Sequence, residues 1–518
     1  MSELRPHLQA DSVWELVCRR AAATPGALLV VDERRRRMTF AEFRDSVERV
    51  AAGLAARGVG RGTVVSWQLP SWIETIVLFA ALSRLGAVQN PLIMMLREPE
   101  VEFICRQAGS RLLIVPESFR RFEHGAMAHS LAARLPGLEV LTTGAGLPEA
   151  DPAALPPEPQ GPEARWLFYT SGTTAAAKGA KHTDEGLLAA ARTFCTAIEP
   201  TPDDRIAALA PLAHVGGVLH VLAALMAGSA LIINDVFEPA ASAELLRDEG
   251  VTLGGSGVPF LLGFLREQRA RPRERLFPSM RAFLIGGAPR QESLHYETRD
   301  RLGGAGISSG YGLTECPFLS WGRPDDGDHE HATADGQPGP ETRVRIVRAD
   351  GTRADAGEIG ELWVRAPQLT VGYVDSGLDK AAFDAEGFFR TGDLASLDGR
   401  GYLTITGRLK DVIIRNMENV SAREVEDHLL AVPGVADAAV IGLPDPDTGE
   451  RVCAVVVPVD PASPPELGEI CAHLRARGLN TRRLPVQLEI LAELPRNAMG
   501  KVVKTALRER FLESAGRA

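Results

Sequence analysis

Apolar and polar residues alternate along the first part of the chain in runs of two kinds. Residues 40–57 and 72–85 repeat apolar positions with a helical period, whereas 64–69 and 111–115 are short apolar runs of strand length. Thr39 stands where the N-cap of the first helix would be. Strands that alternate with helices in this way predict a parallel sheet covered by helices.

The same alternation resumes after a connection rich in proline and alanine at residues 147–163. The pattern predicts an apolar helix beyond His214, a helix at 240–249 and strands at 205–210, 230–233, 251–254 and 282–285. Residues 206–233 carry no charge and would be long enough to span a membrane. Because proline and paired glycines cut this stretch into short pieces, we interpret it as a buried strand, loop, helix and strand.

Beyond about residue 339 the pattern changes to short β runs. They lie at 344–348, 360–365 and 402–406, with glycine and aspartate turns between them. This texture predicts a small antiparallel barrel or sheet, followed by a helix near Ser421 and a last small α+β domain. The predicted fold class is therefore mixed α/β and β: layered α/β sheets with a small β-barrel, then the α+β domain.

Composition narrows the class of protein. A length of 518 residues exceeds one compact core, and a hydrophobic content of 45 % is enough for at least two domains. The formal net charge of −10 gives no bulk attraction to nucleic acid. The six cysteines include no C-x-x-C pair, which argues against a disulfide framework or a zinc knuckle. Since the N-terminus shows no apolar signal-peptide region, we expect a cytoplasmic protein.

The run at residues 169–179 is turn-prone and rich in hydroxyl groups. An apolar strand precedes it and a helix is predicted from Thr183, which places the run in a loop between a strand and a helix. Backbone N–H groups, hydroxyls and one ammonium group could surround an oligophosphate. The run is not a Walker A loop, because its lysine precedes a glycine and no hydroxyl residue follows. A flexible polar linker is the alternative interpretation of the run. The candidate phosphate ligands are Thr170, Ser171, Gly172, Thr173, Thr174 and Lys178.

Lysine is scarce, with six residues among 57 basic ones. A chain that uses arginine wherever either basic residue would serve keeps lysine where a compact point charge is needed. The positions of its few lysines are therefore informative. One of them, Lys501, lies in a basic loop near the C-terminus. A solvated loop beside a helix is the alternative interpretation there.

Three other short motifs suit a nucleotide. Gly286 and Gly287 follow a strand directly and would let a flat ring approach the backbone, although a plain turn gives the same pattern. Residues 309–315 place an aromatic ring, a hydroxyl and a carboxylate close together, and such oxygens can hold Mg²⁺. Asp393 could accept hydrogen bonds from two ribose hydroxyls, although an aspartate after glycine is usually a turn former.

The order and spacing of these motifs resemble the adenylate-forming superfamily of acyl-CoA synthetases, luciferases and peptide-synthetase adenylation domains. The resemblance spans nearly the whole chain and rests on residues 169–179, 311–315, 391–393, 407–411 and 500–501. Segments 66–70 and 85–91 are similar to medium-chain and alicyclic acid CoA ligases, notably cyclohexanecarboxylate–CoA ligase.

The resemblance implies a two-step reaction that uses ATP, Mg²⁺ and CoA. A carboxylate attacks the α-phosphate to give acyl-AMP and pyrophosphate, and the CoA thiol then attacks the activated carbonyl. It implies catalytic roles for Lys501, Glu315, His214 and Thr174, with Thr174 and Glu315 as Mg²⁺ ligands. Besides the phosphate loop, the nucleotide would meet Gly286, Gly287, Ala288, Pro289, Tyr311, Gly312, Thr314, Asp393, Arg408 and Lys410. The acyl group would lie beside His214, Val218 and Gly310, although His214 could also be a capping residue at a buried helix start.

The resemblance also implies two domains, residues 1–409 and a mobile domain of residues 410–518, with the hinge at Lys410. The small domain would swing between the two steps, which removes Lys501 and admits the pantetheine arm of CoA. Met417 stands where relatives have a glycine that lines the pantetheine tunnel, so the resemblance implies that its side chain either folds aside or narrows the tunnel.

Two other functions stay open on the sequence. One is an adenylating enzyme that loads a carrier protein in trans, and the other is a non-catalytic homologue that binds nucleotide or acyl ligand. Retention of Lys501 together with Glu315 and Asp393 counts against the second. The sequence leaves the exact acid and a homodimer open and predicts no membrane span. The spacing from Pro495 to Lys501 resembles that of acetylated relatives, which predicts a protein acetyltransferase acting on Lys501.

Overall fold

The structure, a computed structural model, describes residues 7–159, 161–170, 177–287, 290–415, 418–445, 448–496 and 501–515. Its contacts divide the described chain into two compact units. The first unit takes in the described residues up to Thr170, then Ala177–Arg343 and Arg365–Phe389. The second unit takes in Val344–Val364 and the described residues from Arg390 onward.

Helices and strands alternate through the first unit. Its helices are α1 (Val13–Ala23), α2 (Phe40–Ala56), α3 (Ile73–Leu85), α4 (Glu98–Ala108), α5 (His124–Ala132), α6 (Asp184–Ile198), α7 (Val215–Ala227), α8 (Pro239–Asp248), α9 (Val258–Ala270), α10 (Glu292–Leu302), α11 (Asp328–Thr333) and α12 (Asp379–Ala382). Its strands are β1 (Leu28–Val31), β2 (Arg37–Thr39), β3 (Val64–Trp67), β4 (Val88–Pro91), β5 (Leu112–Val115), β6 (Glu139–Thr142), β7 (Trp166–Thr170), β8 (Lys178–His182), β9 (Arg205–Ala208), β10 (Ala230–Ile233), β11 (Leu253–Gly255), β12 (Ala282–Gly286), β13 (Ile307–Leu313), β14 (Cys316–Trp321) and β15 (Gln337–Pro338).

These strands form two sheets. One has the order β6-β5-β3-β4-β7-β8 and the other β15-β14-β13-β12-β11-β9-β10-β1-β2. The central pairs of both sheets are parallel, and antiparallel pairs occur at their edges, such as β7 with β8 and β13 with β14. The predicted parallel sheets layered with helices are confirmed.

Local signals agree with this packing. The side chain of Thr39 accepts the Glu42 N–H, and the Glu42 carboxylate accepts the Thr39 N–H, so a capping box starts α2 where the sequence predicts it. Such a cap contributes about 1 kcal/mol. Helices α2 and α3 bury their apolar residues in the same core as Trp67 and Trp166.

The uncharged stretch of residues 206–233 folds as β9, α7 and β10, as predicted. Nearly all of α7 is buried within the first unit. Among the described residues, no helix combines the length and the hydropathy that crossing a membrane requires. The six cysteines all fall within the described residues, and none forms a disulfide.

The second unit is richer in strands than in helices. Its elements are β16 (Arg343–Val347), β17 (Gly360–Arg365), β18 (Phe389–Leu397), β19 (Leu403–Arg408), β20 (Val412–Arg415), β21 (Glu418–Ser421), α13 (Ala422–Leu429), β22 (Val435–Asp445), β23 (Gly449–Pro458), α14 (Leu467–Ala476), β24 (Gln487–Ile490) and α15 (Lys504–Ala515). The short β runs form a four-stranded sheet in the order β16-β17-β18-β19. A second sheet joins β20 to β24 and carries α13 and α15. Ser421 caps α13, at the predicted helix start.

Candidate active site

The predicted phosphate loop lies between two paired strands. Thr170 at the end of β7 pairs with Lys178 at the start of β8. The prediction of a loop between a strand and a helix is wrong for residues 178–182, which form β8. Antiparallel pairing with β7 outweighs the weak strand preference of this polar, glycine-containing sequence. Helix α6 then begins after its N-cap Thr183, as predicted. Ser171, Gly172, Thr173 and Thr174 lie outside the described residues.

Glycine is required at position 179 because the hairpin packs so closely. A Cβ atom there would lie 2.7 Å from the Tyr169 ring and 2.9 Å from a methyl group of Val374. The strand that begins with Lys178 is therefore pressed onto β7 on one side and onto the segment around residue 373 on the other.

A tyrosine links the candidate phosphate lysine to the candidate metal carboxylate. The Tyr373 hydroxyl donates a hydrogen bond of 2.7 Å to Oε1 of Glu315. The Lys178 ammonium group lies 5.8 Å from the centroid of the same tyrosine ring, within the range of a cation–π interaction. Burial, together with the negative charge of Glu315, raises the pKa of Tyr373, so its hydroxyl stays a donor. Tyr373 therefore fixes one oxygen of a carboxylate that is only 9 % exposed.

A buried histidine holds the turn that carries Glu315. His182 lies at the end of β8 and its Nε2 is 2.8 Å from the Thr314 carbonyl oxygen. A carbonyl only accepts, so Nε2 carries the proton. Burial lowers the pKa of His182 to about 4, which keeps the ring neutral. The backbone of Thr370 also donates to the Glu315 carbonyl. The hairpin, the turn at 314–315 and the segment at 370–373 are thus one hydrogen-bonded assembly.

The candidate adenine side lies where β12 and β13 run parallel. Gly286 faces Gly310, and a Cβ on Gly286 would lie 2.8 Å from the Gly310 carbonyl oxygen. Gly287 follows with φ of +77°, and no described atom lies within 4 Å of the place where its Cβ would be. A flat ring could therefore approach the backbone at Gly287. Tyr311 and Gly312 lie on β13, while Ala288 and Pro289 fall outside the described residues.

The chain beyond Gly287 is anchored by a buried arginine. Arg290 donates to Ser309 Oγ and to Asp335 Oδ1, each at 2.8 Å, and to the carbonyl oxygens of His331 and Ala334. Its side chain is 4 % exposed. These bonds fix one end of the candidate adenine loop to β13 and to the segment after α11.

His214 is the N-cap of α7, which was the alternative that the sequence left open. Its Nδ1 accepts the Gly216 N–H at 3.2 Å. A Cβ on Gly217 would lie 2.4 Å from the Pro211 carbonyl, so the first turn of α7 packs directly against the preceding loop.

The other two predicted acyl-site residues are closely packed. Val218 is fully buried. At Gly310, a Cβ would lie 2.5 Å from the Trp321 ring, so the indole fills the space beside β13.

The second unit holds the remaining candidates. Asp393 on β18 faces Arg408 on β19, and Arg408 Nε lies 2.9 Å from Asp393 Oδ1. Lys410 lies in the short 3₁₀ turn Leu409–Asp411, and Lys501 is exposed ahead of α15. The structure thus brings Lys178 and Glu315 together in one unit, and Asp393 and Arg408 together in the other. Met417 lies outside the described residues.

Sequence reasoning missed Tyr373, His182 and Arg290. Each acts through a partner that is distant along the chain, so no local spacing marks it. One signal was available, because the chain has only five tyrosines and their scarcity could have drawn attention as the scarcity of lysine did.

Comparison with known proteins identifies the class. The AMP-binding enzyme family matches residues 17–374, and the AMP-binding enzyme C-terminal domain matches residues 424–501. The medium-chain fatty-acid–CoA ligase of Escherichia coli (strain K12) is 30 % identical over 504 residues, covering 94 % of this chain and 88 % of that protein. Feruloyl-CoA synthase of Amycolatopsis sp is 34 % identical over 483 residues, covering 92 % and 94 %. ATP-bound MatB from Rhodopseudomonas palustris has a TM-score of 0.86 at 28 % identity, covering 96 % of this chain and 99 % of that one.

The chain belongs to the AMP-binding enzyme family, within the adenylate-forming superfamily that its motifs predicted. More particularly, it is an ATP-dependent, AMP-forming acid–CoA ligase. The predicted fold class is confirmed as well, since proteins of this superfamily share the large and small domains.

Proposed function

We propose that this ligase activates a compact, uncharged carboxylic acid, either alicyclic, aromatic or medium-chain, with cyclohexanecarboxylate as the first choice. The observation that carries the proposal is the aromatic cluster beside the start of α7. Phe318 stacks on Phe194 with ring centroids 5.7 Å apart, and Trp321 meets both rings edge-on. No described residue of this cluster is charged, so a second carboxylate or an ammonium group would be desolvated there without a partner.

In the proposed first step, an oxygen of the acid attacks the α-phosphorus of ATP and pyrophosphate leaves. Lys178 would neutralise charge on the departing phosphates. Glu315, with one oxygen already fixed by Tyr373, suits a magnesium ion, since Mg²⁺ takes one or two carboxylates together with water and phosphate oxygens. Bound Mg²⁺ would supply charge neutralisation.

The second unit would serve the nucleoside and the change between steps. Arg408 pairs with Asp393 Oδ1, so a ribose held by the Asp393 carboxylate would have the guanidinium beside its sugar and phosphate. In the first step Lys501 would bridge the acid and the α-phosphate. Before the second step it would move away, when the small domain rotates about the hinge at Lys410. The domain boundary at residues 409 and 410, acetylation of Lys501, a homodimer and a cytoplasmic location stay predictions.

In the proposed second step, the sulfur of CoA forms a bond with the acyl carbon, the bond from that carbon to the phosphate oxygen breaks, and AMP leaves. The thiol proton is released to solvent. One active site can serve both steps only if its neighbours change between them.

The test is a panel of acids assayed for pyrophosphate, AMP and CoA thioester. We expect release of pyrophosphate that depends on the acid, and CoA consumption equal to AMP formed, with kcat/KM highest for a compact uncharged acid. A higher kcat/KM for a dicarboxylate or an amino acid would contradict the proposed acid class. Pyrophosphate release without CoA consumption would favour loading of a carrier protein, and no release with any acid would favour a non-catalytic homologue.

A further inference from the structure

A second histidine, His220, lies inside the aromatic cluster of Phe194, Phe318 and Trp321. It stands on α7, and its ring meets both phenylalanines edge-on with centroids 5.6 Å away. Only 6 % of its surface is exposed. An imidazole is therefore packed among rings that are otherwise hydrocarbon and indole.

The hydrogen bonding of His220 fixes which nitrogen carries a proton. Nδ1 lies 2.7 Å from the Gly216 carbonyl oxygen, and because a carbonyl only accepts, Nδ1 is the donor. Burial lowers the pKa of His220, so the ring is neutral. Nε2 is then an acceptor; no described residue forms a hydrogen bond with it, and it is not one of the fully buried atoms, so part of its surface stays accessible.

The peptide of Gly216 connects this acceptor to the start of the acyl site. Its N–H donates to His214 and its carbonyl accepts from His220. His220 follows His214 by six residues, which at the rise of an α-helix is about 9 Å along α7. Phe318 joins the two positions, because its ring meets His220 and also lies 3.9 Å from the place where a Cβ on Gly216 would be. With the reacting carboxylate proposed near His214, an acid the length of a para-substituted aromatic ring that lies along Phe318 would bring its far end to Nε2 of His220.

We infer that His220 is a specificity-determining residue that selects acids carrying a hydrogen-bond donor, a hydroxyl or a ring N–H, at the end opposite the carboxylate. This inference rests on the proposed function and narrows its acid class. Binding of an acid without the donor would remove water from Nε2 and leave a buried acceptor unpaired. An unpaired buried acceptor costs more binding free energy than an apolar side chain at the same place. A methyl ether at the same place would offer only a second acceptor and would be rejected as well.

The test compares matched acids on the full-length enzyme. The pairs are benzoate with 4-hydroxybenzoate, cinnamate with 4-hydroxycinnamate, and cyclohexanecarboxylate with its 4-hydroxy derivative; 4-methoxycinnamate is the steric control. We expect kcat/KM for at least one hydroxy acid to exceed that of its parent acid by about 10-fold, the worth of one buried hydrogen bond. The methoxy acid should be no better than the parent.

Variants show whether His220 causes the preference. His220→Leu should bring the ratio of hydroxy to parent acid close to one, mainly because kcat/KM for the hydroxy acid falls. His220→Gln, which can still present an acceptor, should restore part of the ratio. A merely structural role would lower kcat/KM for both acids equally and leave the ratio unchanged.

The outcomes separate the inference from the function on which it rests. Equal turnover of hydroxy and parent acids by the unaltered enzyme, or a preference that survives His220→Leu, would overturn the inference and leave the ligase intact. Should His220→Leu fail to fold, the comparison of hydroxy, methoxy and parent acids on the unaltered enzyme still decides. Pyrophosphate release with none of the acids in the wider panel would overturn both proposals.

Discussion

The hydroxyl of Tyr373 offers the sharpest mutational test of the first half-reaction. Tyr373→Phe removes one oxygen atom and leaves Oε1 of Glu315 without this donor in a site that is only 9 % exposed. A hydrogen bond to a charged group contributes about 1.5–3 kcal/mol. If that bond holds Glu315 in the orientation that binds Mg²⁺, its loss should lower kcat/KM for adenylation by about 10- to 100-fold at limiting Mg²⁺.

The assay is acid-dependent pyrophosphate release, measured over a range of Mg²⁺ concentrations. Excess Mg²⁺ should recover most of the activity of Tyr373→Phe, because the variant is proposed to bind the ion more weakly while keeping the other groups. Tyr296→Phe is the matched control, since Tyr296 is 39 % exposed on α10 and its hydroxyl forms no hydrogen bond with Glu315 among the described contacts. Unchanged adenylation by Tyr373→Phe at limiting Mg²⁺ would refute the positioning role, and a loss that Mg²⁺ cannot reverse would point to a folding defect instead.

Three further substitutions test the buried polar contacts. Burial lowers the pKa of His182 to about 4, whereas a histidine in the unfolded chain takes up a proton below about pH 6.5. Between these two values only the unfolded chain binds the proton, so acid favours unfolding. The free energy of unfolding should therefore fall by about 3 kcal/mol as the pH decreases from 6.5 toward 4. His182→Gln should flatten this acid limb in urea unfolding, and an unchanged slope would contradict it. Arg290→Met leaves Asp335 without its arginine, which should cost about 3 kcal/mol and raise KM for ATP more than KM for the acid. Lys504→Met removes the partner 2.8 Å from the largely buried Glu426; a loss of about 3 kcal/mol is expected, and a second change of Glu426→Gln should recover much of it.

Local sequence was enough for the elements that carry their own signals. The Thr39 cap, the apolar period of α2 and the short apolar runs of the central strands each specify a structure within one element. The glycine pair at 286–287 comes at the end of a strand as predicted, although the same pattern also occurs in a plain turn and its role stays a prediction. The identity of the superfamily followed from the order of the motifs.

Contacts between distant elements could not be predicted in the same way. Tyr373 meets Glu315 across a large separation in sequence, and Lys178 reaches the same ring because β8 pairs with the segment around Tyr373 through the Ala180–Tyr373 bridge. Strand β8 itself was missed because its stability comes from its neighbour rather than from its own residues. The sequence did not single out His220, because the acceptor role of its Nε2 follows only from the hydrogen bond between Nδ1 and the Gly216 carbonyl oxygen.

The central claim, acyl transfer through an acyl-AMP, is tested most directly by the fate of the acid's oxygen. An acid that is a substrate is labelled with ¹⁸O in its carboxylate and incubated with the enzyme, ATP, Mg²⁺ and CoA, and AMP is analysed by mass spectrometry. The account predicts one ¹⁸O atom in each AMP, since the attacking carboxylate oxygen stays on phosphorus when the thiol takes the acyl carbon. AMP without label, or ADP as the nucleotide product, would contradict it.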